Sequence, residues 1–183
     1  MNHQGSKRIK TERLTLEKFD KNDSLEVYTN YGKDKKIRKY ISWIPCDTLE
    51  NTEKFIAFNL KEYKSNPKHY SWKIVLDETI IGSIAIFKVA DENDSGELGY
   101  SLGSKWWSKG YITETCSAVV DYAFDDICFN RIYASCHKDN ISSEKVMKKI
   151  GMQYEGIMRE GQKNLDGSYS DLKLYSILKK DRK

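Results

Sequence analysis

The sequence predicts a mixed α/β fold, with one twisted central sheet of about six to seven strands and about four flanking helices. Apolar and polar side chains alternate in several short segments, as they do in strands that are buried on one face. Elsewhere the apolar side chains recur every three or four residues, which is typical of amphipathic helices. The two patterns interleave in the order β-α-α-β-β-β-α-β-α-β-β, so we expect helices and strands to share one core.

The first half of the chain combines helical segments with a β-rich stretch. The elements predicted there are a strand at 13–16, a helix from Asp20 or Asp23 towards Tyr31, a helix that follows 47–50 and ends at 65–67, and two strands at 71–76 and 79–89. The segment 47–50 resembles a capping box, and Pro67 stops the helix that follows it. Asp77 and Glu78 separate the two strands, which favours a hairpin.

The second half carries the strongest periodic signal. A third strand is predicted at 97–102, with Leu98, Tyr100 and Leu102 on one face. A long amphipathic helix is predicted from Thr113 to about Asp126, because six apolar residues follow helical spacing. These six residues are Cys116, Val119, Val120, Ala123, Phe124 and Ile127. The elements predicted after it are a strand at 131–137, a helix at 142–150 that ends at Gly151, and strands at 153–159 and 171–178 around a turn at 166–167.

Composition and charge exclude several classes of protein. The chain has 183 residues, which we expect to form a single domain over 1–183, and 39% of them are hydrophobic. Since 31 Lys and Arg oppose 27 Asp and Glu, the net charge of +4 is too small to predict specific nucleic-acid binding. No apolar run approaches the roughly 18 residues of a membrane span, and the sequence does not start like a secretory signal, so we expect a cytoplasmic protein without a membrane partner. The four cysteines and three histidines are widely spaced, which predicts no metal site.

A turn with one central glycine joins the strand that ends at Leu102 to the long helix. The first N–H groups of a helix lack main-chain partners and carry partial positive charge, so they stabilise an anion such as a phosphate. Gly110 lets the main chain approach such a group closely, and Lys109 adds a positive charge. On spacing alone, an ordinary strand-to-helix loop is an equally good interpretation. The patterns of a nucleoside-triphosphate P-loop and of a dinucleotide-binding turn do not occur in the sequence.

Short motifs follow one another in a defined order along nearly the whole chain. They are Thr11-Glu12-Arg13-Leu14, Glu97-Leu98-Gly99-Tyr100, Gly110-Tyr111-Ile112-Thr113-Glu114, Asn130-Arg131-Ile132, Asn140 with Ser143, Lys149-Ile150-Gly151-Met152, Glu155-Gly156 and Asp171. Together they resemble the GCN5-related N-acetyltransferases (GNAT), and within them the ribosomal-protein N-terminal acetyltransferases of the RimJ/RimL type. The turn departs from the family pattern at Trp107, Ser108 and Ile112, where the family has Arg or Gln, Gly and a small residue.

This resemblance implies the GNAT fold, with acetyl-coenzyme A as the acyl donor and a primary amine as the acceptor. In the family the coenzyme pyrophosphate lies on main-chain amides of the turn, which here are those of Ser108, Lys109, Gly110, Tyr111, Ile112 and Thr113. The pantetheine arm pairs with the central strand like an additional strand, so main-chain groups of Tyr100 and Leu102 would bind it. Asn140 resembles the asparagine that contacts pantetheine in the family.

The acceptor amine needs a base, because only a neutral amine attacks a thioester. Free α-amino groups and lysine side chains have pKa values near about 8 and about 10.4, so they reach the enzyme protonated. Glu97, at the start of the central strand, is the candidate base and would act through one or two waters, although an exposed Glu at a strand start is an equally good interpretation. Glu114 is a weaker candidate, since a Glu in the first turn of a helix also complements the helix dipole.

The leaving thiolate needs a hydrogen-bond or proton donor. Its pKa is about 8.5 by analogy with cysteine. Many relatives use a tyrosine at the position that Met147 occupies here, whereas the RimL-type branch has a serine at the position of Ser143. The resemblance therefore makes Ser143 the candidate donor, with a simple helix-capping serine as the alternative interpretation. A main-chain N–H of the central strand would meet the oxyanion, and we expect direct attack in a ternary complex without an acyl-enzyme.

The sequence does not choose the acceptor amine. In the family the acceptor side is formed by the segment between the first two helices and by the last hairpin, which here include Tyr40, Trp43 and the turn 162–169. A protein N-terminus, a free amino acid, a polyamine and an aminoglycoside all fit an aromatic and acidic cleft, and a homodimer is left open. The alternative function is a non-catalytic acyl-CoA-binding or ribosome-associated protein, which the altered turn and the basic segment 179–183 would suit.

Overall fold

The fold was analysed in a computed structural model, which describes residues 1–40 and 46–182. In these ranges the chain forms eight strands and four α-helices. The strands are β1 (Ile9–Lys10), β2 (Thr15–Glu17), β3 (Tyr70–Leu76), β4 (Thr79–Ala90), β5 (Ser95–Leu102), β6 (Arg131–His137), β7 (Gln153–Lys163) and β8 (Tyr169–Leu178). The helices are α1 (Ser24–Val27), α2 (Leu49–Ser65), α3 (Tyr111–Tyr122) and α4 (Ile141–Lys149).

All eight strands belong to one sheet, in the order β1-β2-β3-β4-β5-β6-β8-β7. Neighbouring strands are antiparallel except for β5 and β6, which are parallel because α3 connects them by a crossover. The predicted mixed α/β class is confirmed, but the sheet has eight strands rather than six or seven. The additional strand is the two-residue β1, which pairs with β2 through Ile9 and Leu16 and is too short to show an alternating pattern.

Several predicted boundaries shift in the structure. The first predicted strand, expected at 13–16, is Thr15–Glu17, because the residues before it form a turn in which Thr11 N–H donates to the Leu14 carbonyl. Helix α2 is capped by the Thr48 side chain, which accepts from Asn51 N–H, so its first residue is Leu49. The first and third helices each end in a π-helical turn, at Tyr28–Gly32 and Ala123–Ile127.

Helix α3 and its π-helical turn pack against the sheet with the apolar stripe that the spacing predicts. All six apolar residues of that stripe are buried, and the cluster they join includes Trp72 of β3, Ile84 of β4 and Leu98 of β5. Fully burying one such side chain contributes roughly 1.5–3 kcal/mol. The helix is therefore fixed on the sheet, and the position of its N-terminus relative to β5 is fixed with it.

Strands β5 and β6 separate after a short paired stretch. Their pairing covers three residue pairs, Ser95 with Arg131, Gly96 with Ile132 and Glu97 with Tyr133. Both strands continue beyond it, β5 to Leu102 and β6 to His137, and this divergence opens a cleft in the middle of the sheet. Among the residues that the structure describes, no helix is long and apolar enough to cross a membrane.

Candidate active site

The main-chain groups of Leu98, Tyr100 and Leu102 face the cleft between β5 and β6. Successive residues of a strand point their main-chain N–H and C=O groups to opposite sides. Two contacts show which residues of β5 point towards β4 and which towards β6. Gly103 N–H donates to the Ile81 carbonyl on the β4 side, while the Asp94 carbonyl accepts from Asn130 and Arg131 N–H on the β6 side. Even-numbered residues of β5 therefore point their main-chain groups into the cleft. The sequence-predicted pair Tyr100 and Leu102 is among them, and the Leu102 carbonyl accepts a hydrogen bond from Trp107 Nε1 at 2.7 Å.

The turn before α3 presents a row of unpaired main-chain N–H groups at one end of this cleft. Within 1–40 and 46–182, the N–H groups of residues 108–113 have no protein acceptor at hydrogen-bonding distance. Ser108 and Gly110 have φ values of 62° and 82°, on either side of Lys109, whose φ is negative. Such alternation makes successive N–H groups converge on one concave side, as they do in anion-binding nests. The bulk of Ile112 does not fill this concavity, because it packs on the apolar core.

Arg13 and Glu114 brace this turn from the N-terminal segment. The Glu114 carboxylate accepts hydrogen bonds from Thr11 Oγ1 at 2.6 Å, from Arg13 N–H at 2.9 Å and from Arg13 Nε at 2.7 Å. Arg13 Nη1 also donates to the Lys109 carbonyl at 3.0 Å, and its guanidinium lies over the Tyr111 ring. Partial burial acts to raise the pKa of Glu114, but these hydrogen bonds outweigh it and lower the pKa. Glu114 is therefore an ionised brace rather than an available base, and Thr11 and Arg13 of the first motif hold it in place.

Glu97 is buried on the opposite face of β5 from the Tyr100 side chain. Its side chain is 8% exposed, and its two oxygens accept from Ser135 Oγ at 2.8 Å and from Lys88 Nζ at 2.7 Å. Lys88 stands at a bulge in β4 with a φ of 51°, and its hydrogen bond to Glu97 raises the pKa of its amine. The interpretation of Glu97 as an exposed strand-start residue is thus wrong. It is a buried carboxylate that faces a cation.

Ser143 lies in the first turn of α4, on the other side of the cleft. Its hydroxyl is 2.8 Å from the Tyr100 hydroxyl. Its N–H donates to Asn140 Oδ1 at 3.1 Å, so Asn140, not Ser143, is the residue that caps the helix. Among the described residues the Asn140 Nδ2 group makes no hydrogen bond, which leaves it available to a ligand in the cleft. Met147 is fully buried in the core and cannot contact one.

One cavity of about 520 Å³ unites these groups, and its size is that of an ordinary ligand site. Glu97, Tyr100, Asn140 and Ser143 all line it. Its far wall is formed by Tyr40, whose ring lies 5.1 Å from that of His137, and by Gln162 of the last hairpin. Of the other acceptor-side residues that were expected, Tyr169 is exposed and does not line the cavity, and Trp43 lies outside the described residues.

Comparison with known proteins identifies the family and the fold. The family model described as "Acetyltransferase (GNAT) domain" matches residues 13–153, which include β5, β6, the turn and all of α4. The chain belongs to the GNAT family. It is accordingly an acyltransferase, and the predicted resemblance is confirmed at the level of the family.

Individual GNAT relatives match over nearly the full chain. The p20 N-acetyltransferase of Bacillus licheniformis is 30% identical over 93% of this chain and 96% of its own. The crystal structure of a GNAT-family acetyltransferase from Bacillus anthracis is 30% identical, with a TM-score of 0.82 over 95% of this chain and 99% of its own. RimL, a ribosomal L7/L12 α-N-protein acetyltransferase solved with coenzyme A, has a TM-score of 0.85 over 94% of this chain and 98% of its own. At 19% identity, this likeness shows a shared fold.

The sequence analysis missed residues that lie outside the family motifs but contact residues of this GNAT site or the helix beside it. Ser135 could have been found, because it alternates with the buried Ala134 and Cys136 of β6 and so shares the face of Glu97. Lys88 gave no signal, since a bulge rather than a periodic pattern positions it. Arg182, in the basic C-terminal segment, pairs with Asp121 and Asp125 beside α3, so this part of the segment is anchored on the domain. Lys183 lies outside the described residues.

Proposed function

We propose that this chain transfers the acetyl group of acetyl-coenzyme A to a primary amine by direct attack in a ternary complex, with residues 1–183 acting as one domain. One observation carries the proposal. The cleft between β5 and β6 runs from unpaired N–H groups at the N-terminus of α3 to a cavity with a buried carboxylate on one side and a hydroxyl on the other. The N–H groups would form an anion-binding end, and the cavity would form the end at which the reaction takes place.

The chain's own groups fit the coenzyme. The N–H groups of residues 108–113 would hold the pyrophosphate, and helix α3 adds its partial positive charge. Main-chain groups of Tyr100 and Leu102 would pair with the pantetheine arm, as in β-strand addition. Trp107 already occupies one lone pair of the Leu102 carbonyl, so this carbonyl has one left for the arm.

Glu97 would receive the acceptor amine at the reaction end. Its carboxylate already binds an ammonium group, that of Lys88, and Ser135 holds its other oxygen. An incoming ammonium can replace Lys88 there, because the lysine side chain is two-thirds exposed and can swing into water. Glu97 would then take a proton from the amine, directly or through water, and leave a neutral nucleophile.

Ser143 would act on the leaving group. Its hydroxyl lines the same cavity as Glu97 but on the α4 side, so the acyl group would lie between the two. A main-chain N–H of β5 that faces the cleft would stabilise the oxyanion. None of these steps needs a covalent acyl-enzyme, and Cys116 and Cys136 are buried thiols whose pKa is raised by desolvation, that of Cys136 to about 11.

A protein α-amine is the acceptor that the likeness to RimL supports, since RimL acts on a ribosomal protein N-terminus. The test is a panel of amines that contains peptide N-termini, amino acids, polyamines and aminoglycosides, incubated with the protein and acetyl-coenzyme A and read by thiol release. Ser143→Ala should reduce turnover of the accepted amine at least tenfold, whereas Ser142→Ala, at the exposed neighbouring serine, should not change it.

The kinetic mechanism has its own test. Double-reciprocal plots at several fixed amine concentrations should intersect, as they do when both substrates bind before reaction. Parallel lines would indicate ping-pong transfer through an acyl-enzyme and would refute direct attack. Absence of coenzyme binding by calorimetry would refute the proposal as a whole.

A further inference from the structure

The hydroxyl groups of Tyr100 and Ser143 form a pair across the cleft. Their oxygens are 2.8 Å apart, and the Tyr100 oxygen is also 3.3 Å from the Ser143 carbonyl. Tyr100 comes from the middle of β5 and Ser143 from the first turn of α4, so the pair links the two sides of the cleft. Both residues line the cavity that holds the buried carboxylate of Glu97.

The direction of this hydrogen bond decides what Ser143 can do. If Tyr100 donates to the Ser143 carbonyl, the serine O–H is free to donate back to the tyrosine oxygen and is lost to a ligand. If Tyr100 donates to Ser143 Oγ, the serine O–H remains free for a third group. The 2.8 Å distance between the two hydroxyl oxygens fits either donor, but the bond that Tyr100 itself donates is 2.8 Å long in the second arrangement and 3.3 Å in the first, which favours the second. Desolvation raises the pKa of Tyr100, so its hydroxyl keeps its proton and remains a donor.

We propose that Tyr100 is a positioning residue, whose hydroxyl donates to Ser143 Oγ and so directs the Ser143 O–H towards the coenzyme sulfur. This inference rests on the function proposed above and extends it. Helix α4 cannot itself supply a tyrosine as the donor to the sulfur, because it has the fully buried Met147 where many relatives have tyrosine. Here a phenol from β5 reaches the same helix from across the cleft.

The pair acts when the thioester breaks. The C–S bond cleaves, its electron pair stays on sulfur, and the serine O–H stabilises this negative charge by a hydrogen bond. The donated bond from Tyr100 polarises the serine O–H and strengthens it as a donor. The proton that the amine loses to Glu97 or water balances the one that the free thiol finally gains from water.

The first experiment measures the thiol of bound coenzyme A and needs no acceptor. Its thiolate absorbance is followed against pH in the wild type, Tyr100→Phe, Ser143→Ala and the control Tyr122→Phe, which removes a buried phenol that bonds the Gly5 carbonyl away from the cleft. We expect the wild type and the control to hold about tenfold more thiolate at a given pH than Tyr100→Phe or Ser143→Ala. Equal titration in the wild type and Tyr100→Phe would overturn the proposal.

The second experiment uses turnover. Tyr100→Phe should reduce kcat about tenfold with little change in the KM for acetyl-coenzyme A, and it should have no further effect in the Ser143→Ala background. Independent, multiplicative losses would show that Tyr100 does not act through Ser143. Thermal melting checks folding, and Tyr100→Leu takes the place of Tyr100→Phe if the latter unfolds.

The two experiments separate this proposal from the underlying function. Wild-type protein that binds no coenzyme A in calorimetry refutes the proposed function. Protein that binds coenzyme A, with a thiol that Tyr100→Phe leaves unaffected, refutes only the role of Tyr100.

Discussion

The two ends of the proposed site are built from different parts of the chain. The proposed coenzyme end consists of main-chain groups from one part of the chain, namely those of Tyr100 and Leu102 in β5 and the unpaired N–H groups of residues 108–113 at the start of α3. The proposed acceptor end consists of side chains from distant segments. They are Tyr40, Lys88, Glu97, Ser135, His137 and Gln162.

This difference has a chemical reason. A phosphate or a pantetheine amide is satisfied by N–H and C=O groups, which every residue supplies, so backbone shape decides its binding. An amine is selected by charge, size and neighbouring groups, which side chains supply. We therefore expect changes of backbone conformation to affect the coenzyme end and changes of side-chain charge to affect the acceptor end. Each prediction below tests this division.

The largest effect should come from Glu97→Gln. The amide keeps the size of the side chain and its contact with Ser135, but it cannot take a proton, so kcat should fall about 100-fold. The affinity for coenzyme A in calorimetry should stay within twofold, because no main-chain group of the turn changes. Glu92→Gln, at an exposed glutamate just before β5, is the control and should keep full activity. A kcat near that of the wild type would show that water or another group is the base.

Gly110→Ala should weaken coenzyme A binding about tenfold. The left-handed conformation at φ 82° costs a residue with a Cβ about 1–2 kcal/mol, and the added carbon would lie 3.3 Å from Arg13 Nη2. We expect the turn to shift, so that the N–H groups of residues 108–113 no longer point to one side. Calorimetric titration with coenzyme A measures the change.

Gly167→Ala is the matched control for this substitution. Gly167 has a φ of 87° in the turn between β7 and β8, with open space around the position of a Cβ. It should lower the melting temperature by a similar amount and leave coenzyme A affinity unchanged. If both variants bind the coenzyme equally well, backbone shape at the turn does not determine affinity.

The sequence predicted the fold well, because buried faces require apolar residues at regular spacings, and these spacings are visible in the sequence. The six-residue stripe of α3 and the alternation of β6 are examples, and both are confirmed. The two-residue β1 and the π-helical turns were beyond reach. The former is held by its pairing with β2, and the latter differ from an α-helix by one hydrogen-bond step that leaves the apolar stripe unchanged.

The same contrast holds for the site. The turn around Gly110 could be predicted, because helix N-termini and glycine have general properties. The contacts of Glu97 with Lys88 and Ser135 could not, since they depend on a bulge and on the register between β5 and β6. The link between Tyr100 and Ser143 was also missed, because it joins residues 43 positions apart. The predicted contacts with the coenzyme remain a prediction.

Glu114→Gln should reduce stability by about 1–2 kcal/mol near neutral pH, since it removes charge-assisted hydrogen bonds behind the turn. The folded-state pKa of Glu114 is below the ordinary value of 4.5, so this contribution is complete above about pH 4.5 and is lost as the pH falls through the folded-state value. Urea unfolding at several pH values measures it. The wild type and the variant should converge in acid, and the exposed Glu53→Gln control should match the wild type throughout. A difference that persists at low pH would mean that packing, not charge, is responsible.

The smallest effect should come from Ser108→Gly, which restores the residue that the family has in this turn. Ser108 has a φ of 62°, so glycine relieves about 1–2 kcal/mol of strain, but its extra freedom in the unfolded chain costs about 0.5–1 kcal/mol. The net gain should be about 0.5 kcal/mol, which corresponds to a melting temperature about 1–2 °C higher. The same substitution at Ser117, exposed in the interior of α3, should lower the melting temperature, because there glycine relieves no strain. Since the backbone already has the conformation that glycine prefers, coenzyme A affinity should not change. A marked gain in affinity would mean that the serine side chain, rather than the backbone, limits binding at the coenzyme end.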